Sequence, residues 1–232
     1  MILWETPNKE ELLESLVSMG YARSEKVLRA LEKVSRELFV PRELAKYAYV
    51  DRPLPIGYGQ TISAPHMVAI MTEALDPMEC DKVLEVGTGS GYQAAILAEI
   101  VDPESRGCGI VVSIELVPQL SFFAKNNLER SGYIDRVYLV IGDGSLGVGA
   151  EREVFDRIIV TAASPKIPEP LVSQLKKGGR MVIPVGSQEM QILTIVDKKP
   201  DGKLEIRRDI PCVFVPLRGV HGYSYIISGK DN

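Results

Sequence analysis

Between Lys82 and Val185 short apolar runs alternate with stretches of helical periodicity, and no other feature limits the possible folds as much. Strands are expected at Lys82 to Val86, Gly109 to Glu115, Val137 to Ile141, Arg157 to Val160 and Arg180 to Val185. Helices are expected at Tyr92 to Val101, Pro118 to Ser131 and Pro168 to Lys177. Apolar strands joined through helices form a parallel sheet covered on both faces, so the fold class is α/β with a doubly wound, mostly parallel sheet. After Gln191 the helices stop. Gln191 to Val196, Leu204 to Ile210 and Cys212 to Val215 are strand-like, and Pro200, Asp201 and Gly202 mark a hairpin turn. An antiparallel finish follows, with Cys212 to Val215 read as a core strand.

The segment before Ala48 reads as helices. Asn8 and Glu11 have capping-box spacing, Leu12, Leu13, Leu16 and Val17 share a face, and Gly20 is a stop. Ser24 opens a second helix with Val27, Leu31, Val34 and Leu38 at helical intervals, and Pro41 closes it while starting a third. Such a cap is too short to be a domain. The 232 residues therefore make one domain: a helical cap and loop over 1–75, an α/β core over 76–190 and a β extension and tail over 191–232. Pro53, Pro55, Gly57 and Gly59 force an irregular loop over Asp51 to Gln60, before a helix from Ala64 to Leu75. Loops of this kind often carry function.

Composition removes several classes of function. Lys and Arg number 27 against 31 Asp and Glu, a net charge of -4 that offers phosphate backbones no overall field, so no nucleic acid partner is expected. Cys80, Cys108 and Cys212 are far apart and lack CxxC spacing, which fits separate thiols in a reducing compartment and excludes a cysteine zinc cluster. His66 and His221 are the only histidines, too distant for a metal motif. No apolar run approaches the ~18 residues of a spanning helix, and Met1 to Leu13 lacks the shape of a signal peptide. A cytoplasmic protein without membrane or metal is the expectation.

The chemistry concentrates where strands end. Glu85-Val86-Gly87-Thr88-Gly89-Ser90-Gly91-Tyr92 joins the first strand to the next helix, where glycines let backbone approach a ligand. A dinucleotide fingerprint would need GxGxxG, but the spacing is GxGxG, Tyr92 replaces the last glycine, and Glu85 precedes the loop. A pyrophosphate has little use for that carboxylate; a ligand with a cationic amino-acid end, such as S-adenosylmethionine, has. Glu115 ends the second strand, where a carboxylate can accept both ribose hydroxyls. Asp143, between Gly142 and Gly144, can reach the exocyclic amine of an adenine. Each acid also has an ordinary reading: a solvated strand end for Glu85, a helix-start acid for Glu115, a turn residue for Asp143.

These motifs, with Leu175-Lys176-Lys177-Gly178-Gly179-Arg180-Met181-Val182-Ile183-Pro184-Val185-Gly186, resemble those of class I methyltransferases with a Rossmann-like sheet. Upstream, Pro53-Leu54-Pro55-Ile56-Gly57-Tyr58-Gly59-Gln60-Thr61-Ile62-Ser63-Ala64-Pro65-His66-Met67 resembles the signature loop of protein-L-isoaspartate O-methyltransferases. Phe155-Asp156-Arg157-Ile158-Ile159-Val160-Thr161-Ala162-Ala163 resembles their fourth-strand segment. The resemblance covers about Arg36 to Val215 and implies methyl transfer from S-adenosylmethionine to the α-carboxyl of L-isoaspartyl residues in damaged proteins and peptides. The product S-adenosylhomocysteine leaves, and the ester collapses unaided to a succinimide. By the same resemblance Ser63 is the active-site residue, and Ile62, Ala64, His66 and Val213 meet the substrate, the last beside a peptide bound as an added strand. Glu85, Gly87, Thr88, Gly89, Ser90, Gly91, Tyr92, Glu115, Asp143 and Gly144 take the cofactor.

The chemistry suits a chain poor in histidine, because a carboxylate nucleophile is ionised at neutral pH and needs no general base. Ser63 and backbone N–H groups at the start of the helix from Ala64 can hold that carboxylate. Ser63 also fits a plain helix N-cap, a role compatible with facing substrate. A hydrolase with Ser63 as nucleophile and His66 as base is disfavoured: the GxSxG elbow is absent and no acid is recognisably placed to orient His66. His221 reads as a surface histidine.

Overall fold

The computed structural model describes residues 6–149 and 152–223. Asn8 caps α1 (Lys9–Ser18) reciprocally: its side chain accepts from the Glu11 N–H at 3.0 Å while the Glu11 carboxylate accepts from the Asn8 N–H at 2.9 Å. The second helix is shorter than its periodicity suggests. α2 (Glu25–Lys33) ends at an extended Val34, and Arg36–Phe39 and Arg42–Tyr47 form separate 3-10 turns. The run breaks at Val34 and Ser35, both extended, and Val40, restricted by Pro41, separates the two 3-10 turns; the apolar spacing is met by packing, with Val34 and Phe39 fully buried. Ser24 does not cap with its side chain. Its N–H and hydroxyl, with the N–H of Arg23, donate instead to the Glu73 carboxylate at 2.7 to 3.1 Å.

The breaker-rich loop is a hairpin of β1 (Leu54–Gly57) and β2 (Gln60–Ile62), turned by three successive residues at positive φ: Gly57, Tyr58 and Gly59. Two of the three are glycines, which take that conformation without strain. α3 (Pro65–Leu75) follows, with proline at its first position, where a missing N–H costs nothing.

The core then alternates through β3 (Lys82–Val86), α4 (Tyr92–Val101), β4 (Ile110–Glu115), α5 (Pro118–Ser131), β5 (Val137–Ile141) and β6 (Phe155–Val160). It finishes with α6 (Glu169–Gln174), β7 (Leu175–Gly186), β8 (Gln191–Lys198) and β9 (Leu204–Cys212). The sheet order is β5-β4-β3-β6-β7-β8-β9, parallel through β7 and antiparallel from β7 to β9. β3 is thus flanked by parallel strands, and the loop after it opens where connections diverge to the two halves, the usual ligand crevice of an open α/β sheet. α4 is buried along its whole length, between sheet and cap. α6 is shorter than expected because Leu175 already pairs with β6.

Two expectations are corrected. Cys212 ends β9, but the residues after it are not a core strand: Val213 is 73% exposed, and Phe214 and Val215 are half-buried. Pro211 removes a donor at the strand end, and the segment crosses the carboxyl edge of the sheet, where Phe214 N–H donates to Gln191 and Ala163 N–H donates to the Val215 carbonyl. Nor are all the cysteines separate thiols. Cys80 and Cys108 form a disulfide with Cα atoms 4.7 Å apart. Each lies two residues before its strand, and Lys82 pairs in register with Ile110, so the parallel pairing of β3 and β4 brings the two loops together. Spacing along the chain, 28 residues, hides this adjacency.

The disulfide sits at the amino ends of β3 and β4, opposite the glycine loop. Closing a loop of 28 residues restricts the unfolded chain by about 3–4 kcal/mol. Replacing Cys80 and Cys108 by serine is therefore expected to lower Tm by several degrees in calorimetry, to the same value as reduced wild type.

Candidate active site

The loop after β3 is shaped by its glycines. Gly87 has φ +99°, and a Cβ there would lie 2.5 Å from the Thr161 hydroxyl, which donates to the Gly87 carbonyl at 2.7 Å. Gly89, at φ +54°, donates its N–H to Glu115 at 2.8 Å. Gly91 has a different task. It is the N-cap of α4, and a Cβ there would press on Leu128 and Ala124 of α5 at 3.2 to 3.3 Å, so it permits helix packing and does not line the cleft. Thr88, Ser90 and Tyr92 do line it, with the Tyr92 ring edge-on to Phe39.

The cleft spans about 850 Å³ out to open solvent, room for a nucleoside with an amino-acid arm. Glu85 lies at its floor, fully buried. Ser113 donates to one of its oxygens, and Thr88 continues that chain, while Oε1 has no partner. Burial pushes this carboxyl up to about 8; the Ser113 hydrogen bond lowers it and neighbouring Glu115 raises it further. A buried, half-satisfied carboxyl is costly unless a ligand donor reaches it. Its free oxygen fits an ammonium group, so the residues present suit S-adenosylmethionine.

Glu115 is 7% exposed and lines the cleft. Its Oε2 accepts from Gly89 and its Oε1 from Val117 at 2.9 Å, so it fastens the glycine loop and the start of α5 together. A second lone pair on each oxygen remains for hydroxyl donors. Asp143 departs from the expected placement. It is outside the cleft lining, although Gly144 is within it. One Asp143 oxygen accepts from the Ser145 N–H and hydroxyl, and the other from the Val220 N–H at 2.8 Å, where the 219–222 turn crosses it.

Ile62 and Ser63 line the cofactor cleft, and Ser63, Ala64, His66 and Val213 line a second cavity next to it. Ser63 is shared by both. It is not a helix cap: Ala64 occupies the N-cap position of α3 without a side-chain bond. Among the described residues the Ser63 hydroxyl donates to nothing, and the serine is anchored only through its carbonyl, which accepts from buried Arg36 at 2.8 Å.

The helix start supplies fewer N–H donors than expected, because Pro65 has none and His66 gives its N–H to Asp51 at 2.9 Å. Asp51 also accepts from the His66 ring at Nδ1, 2.8 Å away. An acid does orient His66, contrary to the reading from sequence. A carboxylate only accepts, so Nδ1 carries the hydrogen and Nε2 is the remaining polar atom of the ring. Burial pushes Asp51 up, but the hydrogen bonds and charge of His66 outweigh it and leave the carboxyl below the ordinary value. Asp51, Arg36 and Thr161 are the residues the sequence did not single out. Asp51 could have been sought among the polar residues of the breaker loop and Thr161 near the end of the fourth-strand segment; nothing in the sequence marks Arg36. His221 is half-buried, its N–H bonded to Ser145.

Among the described residues there is no cluster of potential metal ligands, and no helix is long and apolar enough to cross a membrane. The family model for protein-L-isoaspartate(D-aspartate) O-methyltransferase matches residues 7–222. A protein-L-isoaspartate O-methyltransferase of Hyperthermus butylicus is 56% identical over 95% of this chain and 92% of its own, and one of Methanopyrus kandleri is 54% identical over 93% of each. A crystal structure of a Plasmodium falciparum chain assigned to the same activity, in complex with S-adenosyl-L-homocysteine, superposes with a TM-score of 0.81 at 28% identity, over 91% of this chain and 99% of that one. A second solved protein-L-isoaspartate O-methyltransferase gives a TM-score of 0.79 at 31% identity, over 92% of this chain and 67% of that one. A glycine loop over a buried acid, a shared serine and a family match spanning nearly the whole chain agree: the chain belongs to the protein-L-isoaspartate(D-aspartate) O-methyltransferase family.

Proposed function

We infer that this protein transfers the methyl group of S-adenosylmethionine to the α-carboxyl of L-isoaspartyl residues in damaged proteins and peptides, which starts repair through a succinimide. The observation that carries the reading is Ser63, whose unengaged hydroxyl lies where the buried-acid cleft meets a second cavity bordered by exposed Val213. Bound S-adenosylmethionine supplies an electrophilic methyl group on a sulfonium. Glu85 Oε1 holds the ammonium, Glu115 the ribose hydroxyls, and Thr88, Gly89 and Ser90 border the amino-acid arm. Gly144 lies against the base, while Asp143, outside the cleft lining, holds Ser145 and the Val220 turn beside it.

Ser63 donates to the substrate carboxylate and fixes which oxygen faces the cofactor cleft. No residue has to remove a proton from a carboxylic acid with a pKa near 4. What remains for the protein is alignment and exclusion of water, which can supply much of the rate. Ile62 and Ala64 flank the serine, His66 presents Nε2 to the peptide, and the exposed backbone at Val213 offers a strand edge to it. A cytoplasmic location belongs to this reading. A structural disulfide there is known mainly from hyperthermophiles, and the redox state of Cys80 and Cys108 in cell extracts checks it.

Radiolabelled methyl transfer to an isoaspartyl peptide, run beside its normal aspartyl twin, should label only the first; equal labelling of both, or of neither, overturns the assignment. Ser63→Ala should cut kcat/KM by roughly tenfold to a hundredfold, the loss of one donor to a charged group, with S-adenosylhomocysteine affinity unchanged. Glu85 is mostly protonated at neutral pH, and an incoming ammonium ionises it, so binding releases a proton. Calorimetric affinity for S-adenosylhomocysteine should therefore rise between pH 6 and pH 8, by up to about tenfold per unit, and Glu85→Gln should flatten that slope.

A further inference from the structure

Arg36 is the one fully buried arginine among the described residues, and no carboxylate forms an ion pair with it there. Its Nε donates to the Ala48 carbonyl at 2.9 Å and its Nη2 to the Ser63 carbonyl at 2.8 Å, while Nη1 is buried without a partner. The guanidinium carbon stands 5.0 Å from the centre of the Tyr92 ring, on the helix that follows the glycine loop. Burial lowers Arg36 to about 10, against the raising influence of Tyr92, Asp51 and Tyr49, which leaves it charged at neutral pH. A charge held only by dipoles and a ring face is expensive to bury. A structural bolt between cap and core would be made at lower cost by a neutral side chain.

The location suggests what offsets that cost. On the proposed function the corner at Ser63 and Ala64 must receive an anion, yet Asp51 takes the first helical N–H and brings negative charge of its own. Arg36 lies behind the same corner and interacts electrostatically with Asp51. We propose that Arg36 is a positioning residue for methyl transfer, clamping the Ser63 carbonyl and keeping the corner electropositive so that the isoaspartyl carboxylate binds with the Ser63 hydroxyl turned toward it. Acting through the serine, it attracts the carboxylate without forming a direct salt bridge that would blunt the nucleophile. Contact with Tyr92 links that corner to the cofactor cleft. The inference rests on the assignment of Ser63 to the substrate carboxylate.

The test compares full-length wild type with Arg36→Met, which removes charge and fork, and Arg36→Lys, which keeps the charge. Three quantities are read for each: KM for an isoaspartyl peptide, the inhibition constant of the matching peptide with its α-carboxyl converted to carboxamide, and S-adenosylhomocysteine affinity. Arg36→Met should raise KM at least about tenfold, the order expected for one charge a few ångström away at an effective dielectric near 20. The carboxamide constant and cofactor affinity should stay within about twofold, and Arg36→Lys should recover most of the lost KM. Equal weakening of carboxylate and carboxamide peptides, equal weakening of the cofactor, or no change at all overturns the proposal, leaving Arg36 a structural bolt. If Arg36→Met does not fold, Arg36→Lys decides: KM near that of wild type supports the electropositive role, and a loss as large for the carboxamide overturns it. Wild type that fails to methylate the isoaspartyl peptide overturns the functional assignment itself, a result distinct from any difference between variants.

Discussion

A carboxyl buried at the carboxyl end of β3, the middle one of the five parallel strands, is the constraint around which the site is arranged. Glu85 faces Ser113 in register across β3 and β4, so the serine that satisfies one of its oxygens comes from the neighbouring strand and not from the loop. Its other oxygen is buried without a partner, in a residue that borders the cleft. The positive φ values of Gly87, Gly89 and Gly91 turn the chain over this group, while Thr161, just after β6, and Glu115 from β4 tie down the loop from either side. Protein donors could have filled the free oxygen at little cost. On the proposed reading, that oxygen takes the ammonium group of the cofactor.

The opposite end of the reaction path is built from the helical cap, not from the sheet. Ser63 sits between a hairpin turned by three residues at positive φ and a helix begun by proline, a stretch with few backbone donors of its own. Arg36 holds it from the cap, Asp51 holds His66 beside it, and the segment after β9 closes over the other wall through Ala163 and Gln191. Three regions distant in sequence therefore meet at one serine. The helical cap, through Arg36, holds the loop that carries Ser63.

Legibility from sequence followed the range of the interactions. Element types and most boundaries in the core were readable, because an apolar strand or a glycine turn is specified within a few residues; β3, α4, α5 and β5 end where the pattern predicts. Glu85 and Glu115 were readable as candidate ligands because strand ends in a parallel sheet converge. What escaped depends on register or on burial. The Cys80–Cys108 pair follows from the alignment of β3 with β4, not from cysteine spacing. Asp51 is one polar residue among several in its loop until the fold sets it against His66, and Arg36 reads as a surface charge until Tyr92 and the Ser63 loop enclose it. Cys212 to Val215 misled because an apolar run shows the wish to leave water but not which surface does the covering: Cys212 is buried, Val213 is not.

The charges of the two ends are opposite, and methyl transfer removes both: a sulfonium becomes a thioether and a carboxylate becomes an ester. A site of low effective dielectric favours such a reaction, since the separated charges of the ground state lose water while the transition state has less charge to solvate. The protein must still bring the anion in, and a strong direct ion pair would stabilise the carboxylate as much as it bound it, without benefit to the chemical step. In the proposed arrangement, a serine hydroxyl whose own backbone carbonyl is held by a buried cation is a compromise between these demands. It attracts the carboxylate into the corner and orients it, yet leaves the reacting oxygen without a full counter-charge. The neutral ester is then no longer attracted by the field that drew the anion in, which favours its release from a corner built to hold a charge.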